Sequence, residues 1–306
     1  MKSFNSIFVA VDFSPYSATA LKQAMRIADI NRASLRAVHV VPVPAFEPTP
    51  HPLFPFPLPT RADLVSDAKA AWARFAAEAN VQPGVECDIE IGSPRERILE
   101  SAARARTDLL VLGSHSVRDA RKGIGPTAAG CMQRAKTKVL LVREDHAEPY
   151  RNVVACLDFT ETSKLALQQA IRVAAQDDAT LNILHVYDDP WYGLAPPRGV
   201  EVNMPDFESR FREGVEARLR EFCALFSHEL NALKAAFHCV RSEWRGGGYG
   251  HAIVRFARDR GCDLAVLGTR DRWNIRDMIF GSTAERVVRD SPCSILAVKP
   301  ELGDQS

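Results

Sequence analysis

The chain carries one pattern twice. Ile7–Ala28 reads IFVAVDFSPYSATALKQAMRIA and Val153–Ala174 reads VVACLDFTETSKLALQQAIRVA. At a constant spacing of 146 positions the matches include Asp12/Asp158, Phe13/Phe159, Ser17/Ser163, Leu21/Leu167, Gln23/Gln169 and Arg26/Arg172, and the register carries on to His39-Val40 and His185-Val186. Each half then reaches an apolar stretch ending in glycine, DLLVLGSH at Asp108–His115 and DLAVLGTR at Asp263–Arg270. Solenoid repeats run to roughly 20–50 residues, so a repeat of this length is a whole domain. The reading is two copies of one unit, 1–148 and 149–306, with Arg143–Tyr150 (REDHAEPY) as the linker.

With 306 residues, each half is long enough to bury a core of its own. A net charge of +1 gives no reason to expect nucleic-acid or membrane binding. The seven cysteines are odd in number, include no C-x-x-C pair and do not repeat between halves, which fits reduced thiols better than a disulfide framework. No charged-then-apolar leader opens the chain, and no stretch approaches 18 consecutive apolar residues. The expectation is a soluble, cytoplasmic protein.

Ile7–Val11 and Val153–Leu157 are unbroken apolar runs, the pattern of a strand buried on both faces of a parallel sheet. A helix follows, with Ser14 as N-cap before Pro15, and Thr160 in the matching place. Leu21, Ala24, Met25 and Ala28, like Leu167, Ala170, Ile171 and Ala174, recur at helical spacing and predict one buried face. Further helices are expected at about 64–79 and 207–226 and around Ile98 and Ile253, with strands near 87–91, 238–242, 139–142 and 295–298. Strands alternating with helices predict a doubly wound, Rossmann-like α/β sheet in each half. Such sheets bind ligands beyond the carboxyl ends of their strands, where the strand order reverses. That places Asp12, Asp158, the His-Val pairs and the loops after Gly113 and Gly268 at the site.

The loop Gly268-Thr-Arg-Asp-Arg-Trp-Asn-Ile-Arg-Asp-Met-Ile-Phe-Gly281-Ser282-Thr283 opens a helix and carries Arg270, Arg272 and Arg276. Backbone N–H groups there can cradle phosphate oxygens. Together with VAVDFSPYSATAL at Val9–Leu21, HVV at His39–Val41, GSH at Gly113–His115 and LGTR…FGSTAERVVRDSPCSILAVKP at Leu267–Pro300, this loop makes the chain resemble the universal stress protein family, in its tandem two-domain form. The resemblance covers nearly the whole chain. It implies an adenine-nucleotide-hydrolase-like fold, two domains forming an intrachain pseudo-dimer whose final strands (139–142 and 295–298) pair, and a stress-response role. ATP-binding members carry G-x-x-G, nine residues, then G-[ST], and use the Asp after the first strand and the backbone ending the second. Those roles fall here on Asp158, Val186, Gly268, Gly281 and Ser282, with Arg270, Asp271 and Thr283 beside them.

The departures sort the two halves. Asp271 stands where the second glycine of G-x-x-G would be, adding a Cβ and a negative charge near the phosphates while the spacing to Gly281 is kept. The first half, with Asp12, Val40, Gly113, Gly125 and Thr127 as its weaker candidates, has Ser116 at that position, a loop one residue shorter, and Pro126 in place of the hydroxyl residue. Proline lacks both hydroxyl and N–H. The expected ATP site, with or without Mg²⁺, is therefore in the second domain.

Plainer roles compete for several of these residues. Ser282-Thr-Ala-Glu285 reads as a capping box. Asp12 and Asp158 can end a strand and accept local N–H bonds, and His39 and His185 read as core or strand-end histidines. Arg245–His251 (RGGGYGH) resembles a phosphate loop, whereas its counterpart Gly92–Arg95 suggests a strand-to-helix turn. Arg118, Arg121, Lys122, Arg134, Lys136 and Lys138 read as a solvated face, and the Pro/Phe-rich Pro42–Pro59 as an extended segment folding back on its own domain. No P-loop, H-E-x-x-H or G-x-S-x-G motif occurs. The expectation is no enzyme beyond slow ATP hydrolysis, with Asp158 then holding a Mg²⁺ ion. The competing reading is a stress scaffold that binds another small or apolar ligand or a protein partner, with association of two chains left open.

Overall fold

The first strand of each half is an apolar run that ends at an aspartate, and the rest of the unit is wound around it. The computed structural model describes residues 4–42, 59–115, 124–143, 146–188, 204–242, 248–269 and 281–300. The chain divides into two compact units, Lys2–Glu148 and Pro149–Ser306. In the first, the order is β1 (Ser6–Val11), α1 (Pro15–Asn31), β2 (Ser34–Val41), α2 (Arg61–Glu78), β3 (Glu86–Ile91), α3 (Pro94–Arg104), β4 (Leu109–Gly113), α4 (Pro126–Arg134) and β5 (Lys138–Val142). In the second it is β6 (Asn152–Leu157), α5 (Glu161–Asp177), β7 (Thr180–Tyr187), α6 (Met204–Phe222), a 3-10 turn (Ala224–Phe226), α7 (Ser227–Ala232), β8 (Ala236–Arg241), α8 (Gly248–Asp259), β9 (Leu264–Gly268), α9 (Ser282–Asp290) and β10 (Ser294–Val298).

All strand pairs within each unit are parallel, in the orders β3-β2-β1-β4-β5 and β8-β7-β6-β9-β10. This is the expected doubly wound α/β architecture, once per half. Consecutive residues of β1, β4, β6 and β9 are buried, as both faces are covered, whereas the edge strands β3 and β8 are only half-buried. Strand order reverses between β1 and β4 and between β6 and β9, so the ligand crevice of each unit is bounded by Asp12 and Gly113, or by Asp158 and Gly268.

The aspartate of each D-L-x-V-L-G run ties the opposite end of the sheet. Asp108 Oδ2 accepts the N–H groups of Asn5 (2.7 Å) and Ser6 (3.1 Å), and the Asp263 carboxylate accepts those of Arg151 (2.7 Å) and Asn152 (3.0 Å). These are charge-assisted bonds that fix the start of the central strand beside its neighbour.

Helix entry follows the sequence closely in the first βα unit. Ser14 caps α1, its hydroxyl accepting the Ser17 N–H, with Pro15 at the first helical position. Thr160 caps α5, and Ser163 bonds back to the Thr160 N–H. Two expectations need correction. The second-domain helix expected through Phe226 ends at Phe222, and the chain turns through the 3-10 segment into α7. The capping box at Ser282 does not form: the N-cap of α9 is Gly281, no side chain caps it, and Ser282 is already helical. The glycine's extended backbone takes the cap position one residue early. The turn expected at Gly92 is present, Gly92 sitting at φ 139° before Pro94.

All seven cysteines are free thiols. Burial pushes Cys87, Cys131 and Cys262 up to about 12 and Cys223 and Cys239 to about 11, and raises Cys156 as well.

Candidate functional site

Each crevice is built on a sharp exit from the central strand. Phe13 and Phe159 both sit at φ 62°, a left-handed conformation that is rare for so bulky a residue. The turn lets the preceding aspartate reach back. Asp12 Oδ1 accepts the Ser14 N–H at 3.1 Å and the Ser14 hydroxyl; Asp158 Oδ1 accepts the Thr160 N–H at 3.3 Å and its hydroxyl at 2.6 Å. Both carboxylates are exposed at the mouth of the crevice. Their local role is therefore to hold the N-cap residue, as the plainer reading expected.

The strained phenylalanine is held by the histidine of the next strand. The Phe13 and His39 rings lie 4.1 Å apart, and so do those of Phe159 and His185. His39 Nδ1 lies 2.9 Å from the Val11 carbonyl oxygen and His185 Nδ1 lies 2.8 Å from that of Leu157. A carbonyl only accepts, so Nδ1 carries the proton in both rings. Burial holds both imidazoles below the ordinary 6.5, against the opposing pull of that carbonyl and of Asp12 or Asp158; Arg218 adds to the lowering at His185. The long helix then closes over the pair. Phe75 of α2 lies 5.4 Å from Phe13, Phe222 of α6 lies 5.5 Å from Phe159, and the Arg218 guanidinium sits 4.5 Å from the Phe159 ring centroid. Val40 and Val186, next along from the histidines, are buried.

The glycines divide into two kinds. A Cβ on Gly268 would stand 2.9 Å from the Thr162 carbonyl carbon and 3.0 Å from the Ser163 nitrogen; one on Gly113 would stand 3.0 Å from the Tyr16 carbonyl oxygen. Both must be glycine because the first turn of α5 or α1 presses on the strand end. Gly281 differs: its φ is −62°, and no described atom lies within 4 Å of where its Cβ would be. Neither its conformation nor its packing among the described residues asks for glycine there. Gly125 has the same backbone at φ −64° and only ordinary contacts, but Pro126 follows it. Ser282 and Thr283 open α9 with hydroxyls that make no hydrogen bond among the described residues. Thr127 is half-buried in α4. Arg270, Asp271, Arg272 and Arg276 lie outside the described residues, as do Ser116, Arg118, Arg121, Lys122, residues 43–58 and residues 243–247.

Between the last two helices the halves exchange partners. In the first unit Arg95 of α3 lies across Gly130 of α4, its Cδ only 2.3 Å from where a Cβ would stand. In the second, Gly250 of α8 faces Arg286 of α9, whose Cβ lies 2.9 Å from the corresponding point. The two pairs occupy equivalent places in the repeat, with arginine and glycine interchanged. Sequence reasoning missed this, although aligning GPTAAG with GSTAER would have flagged it.

Among the described residues, no group of His, Cys, Asp or Glu side chains could hold a metal ion, and no helix is long and apolar enough to cross a membrane.

A family model described as the universal stress protein family matches the chain twice, over residues 3–143 and 149–299. The chain belongs to the universal stress protein family. Universal stress protein YxiE of Bacillus subtilis is 26% identical over 152 residues, covering 49% of this chain and 99% of the relative. Universal stress protein A homolog 1 of Coxiella burnetii is 24% identical over 149 residues, covering 49% of this chain and 96% of the relative. These relatives are thus one domain long, and this chain is a tandem member. A crystal structure of a universal stress protein from Archaeoglobus fulgidus is similar along 98% of this chain and 99% of its own, with a TM-score of 0.64 at 16% identity, which speaks to the fold.

Proposed function

We propose that this tandem universal stress protein is a regulatory module that binds ATP or a related adenine nucleotide in its second domain. The observation that carries the reading is Gly281, a glycine that no contact among the described residues explains, opening a helix with no side-chain cap and followed by two hydroxyls that make no hydrogen bond among the described residues. A phosphate brought against the backbone supplies a reason: it fills the first-turn N–H groups and excludes a side chain. Asp158 and Val186 border the crevice where the ribose and base would lie, and Gly268 acts through packing. In the first domain, Pro126 removes an N–H at the same place.

The test is a titration of the full chain with ATP, alongside analysis of denatured protein for co-purified nucleotide. Gly281→Val is expected to abolish binding with the fold intact, since nothing described stands in its way, while Gly125→Val leaves affinity unchanged. Asp271→Gly is expected to tighten binding by removing a charge near the phosphates. Tighter binding by the first domain would invert the assignment. No binding by any form would leave the scaffold reading. Phosphate release is expected to be far slower than the roughly 1–1000 per second of ordinary enzymes; fast Mg²⁺-dependent turnover lost in Asp158→Ala would overturn that.

A further inference from the structure

Beside the first turn of α9 lies a cavity of about 350 Å³, walled by Tyr249 and Gly250 of α8 and by Ser282, Thr283, Arg286 and Arg289 of α9. Ligand pockets run to roughly 300–1,000 Å³, so this one is the size for a charged portion of a ligand. Its two arginines are not equivalent. Asp290 holds Arg289 in a fork, Nε to Oδ1 at 2.9 Å and Nη2 to Oδ2 at 3.2 Å. Arg286 reaches Asp290 only at 3.8 Å, beyond hydrogen-bond range, and makes no hydrogen bond among the described residues. Apart from that ion pair its guanidinium has no partner among the described residues, and it lines the same space as the Ser282 and Thr283 hydroxyls, which make no hydrogen bond among the described residues. Glu285, exposed, also lines the space, so anion binding there depends on the Arg286 charge.

Resting on the nucleotide reading above, we propose that Arg286 is the residue that recognises a phosphate chain in the second domain, selecting di- and triphosphates over monophosphates, and that Gly250 is its positioning residue. The exchange between the halves carries the argument. Gly250 leaves the room over which the Arg286 stem runs, and any Cβ there would meet both the Arg286 Cβ and the Thr283 carbonyl oxygen at 2.9 Å. In the first domain Gly130 stands in place of Arg286, and the arginine comes from the other helix with its Nε buried and without a hydrogen-bond partner. A guanidinium at a phosphate is a bidentate, charge-assisted contact. The second domain alone places such a group on the same helix turn as Ser282 and Thr283.

The experiment is calorimetric titration of the full chain with adenosine, AMP, ADP, ATP and inorganic tripolyphosphate. The variants are Arg286→Gln, Arg286→Met (which keeps the stem over Gly250) and Arg289→Gln, each checked by thermal melting. Wild-type affinity is expected to rise with phosphate number. Either Arg286 variant should weaken ATP about tenfold or more and leave adenosine unchanged, whereas Arg289→Gln changes little. If a folded Arg286 variant binds ATP as wild type does, or loses adenosine and ATP in equal measure, the recognition role is overturned while the nucleotide reading stands. If wild type binds no nucleoside or nucleotide yet binds tripolyphosphate through Arg286, the nucleotide reading fails and this one holds. If tripolyphosphate is not bound either, both fall.

Discussion

Gly268 and Gly281 flank one segment of sequence and obey different physics. At Gly268 an added methyl meets the backbone of Thr162 at 2.9 Å, which only a shift of α5 could relieve. Gly268→Ala is expected to cost roughly 1–3 kcal/mol of stability, and Gly281→Ala less than about 0.5 kcal/mol, read as urea midpoints. Equal costs would show that the two glycines are not distinguished by packing. His39 and His185 contribute to the pH dependence, as does His238, whose pKa burial also lowers. Their folded-state pKa lies below 6.5, so below that pH the unfolded chain takes up protons that the folded chain refuses. Their contribution to stability is full above about 6.5 and falls as pH drops below it. The loss between pH 7.5 and 5.5 should shrink in a His39→Gln, His185→Gln double variant. An unchanged pH dependence would clear both rings. Of the site's residues, Asp12, Asp158 and the N-caps were legible because short polar side chains before a helix have one economical use. The left-handed Phe13 and Phe159 were not, because nothing in a phenylalanine codes for positive φ; only its repetition beside a repeated histidine hints at it.

At the scale of elements, the βα unit that opens each half could be read directly. An unbroken apolar run, an aspartate, a capping hydroxyl and a helical period all agree there. Agreement failed where local signals were silent. Nothing in Phe222–Ser227 breaks a helix by composition, so the end of α6 and the start of α7 went unseen. Nor could single-helix patterns reveal the arginine–glycine exchange, which depends on two helices far apart in sequence. That exchange makes a prediction. Gly130→Ala puts a methyl into the path of the Arg95 stem, a flexible obstacle, so its cost should fall when Arg95→Ala is also made. In Gly250→Ala the methyl meets backbone as well as side chain, and Arg286→Ala should relieve it only in part. Additive costs in the first cycle would mean that Arg95 moves aside freely.

Across the whole molecule, each unit owns a five-stranded sheet, its helices and a buried core. Fragments 1–148 and 149–306, expressed separately, should therefore each be folded and melt cooperatively by circular dichroism. A fragment with no melting transition would show that its core is incomplete alone. Fold class and tandem membership were legible from the repeat. Pro126 and the spacing from Gly268 to Gly281 already favoured the second crevice in the sequence, whereas what stands opposite each glycine could not be read there.

The thiols described earlier bear on how this chain meets an oxidant. A thiol with pKa about 11 is ionised to only about one part in ten thousand at pH 7, and peroxides attack the ionised sulfur. Five of the seven sulfurs also sit on residues buried in the interior. Hydrogen peroxide is therefore expected to oxidise Cys223 and Cys239 slowly, because so little of either thiol is ionised.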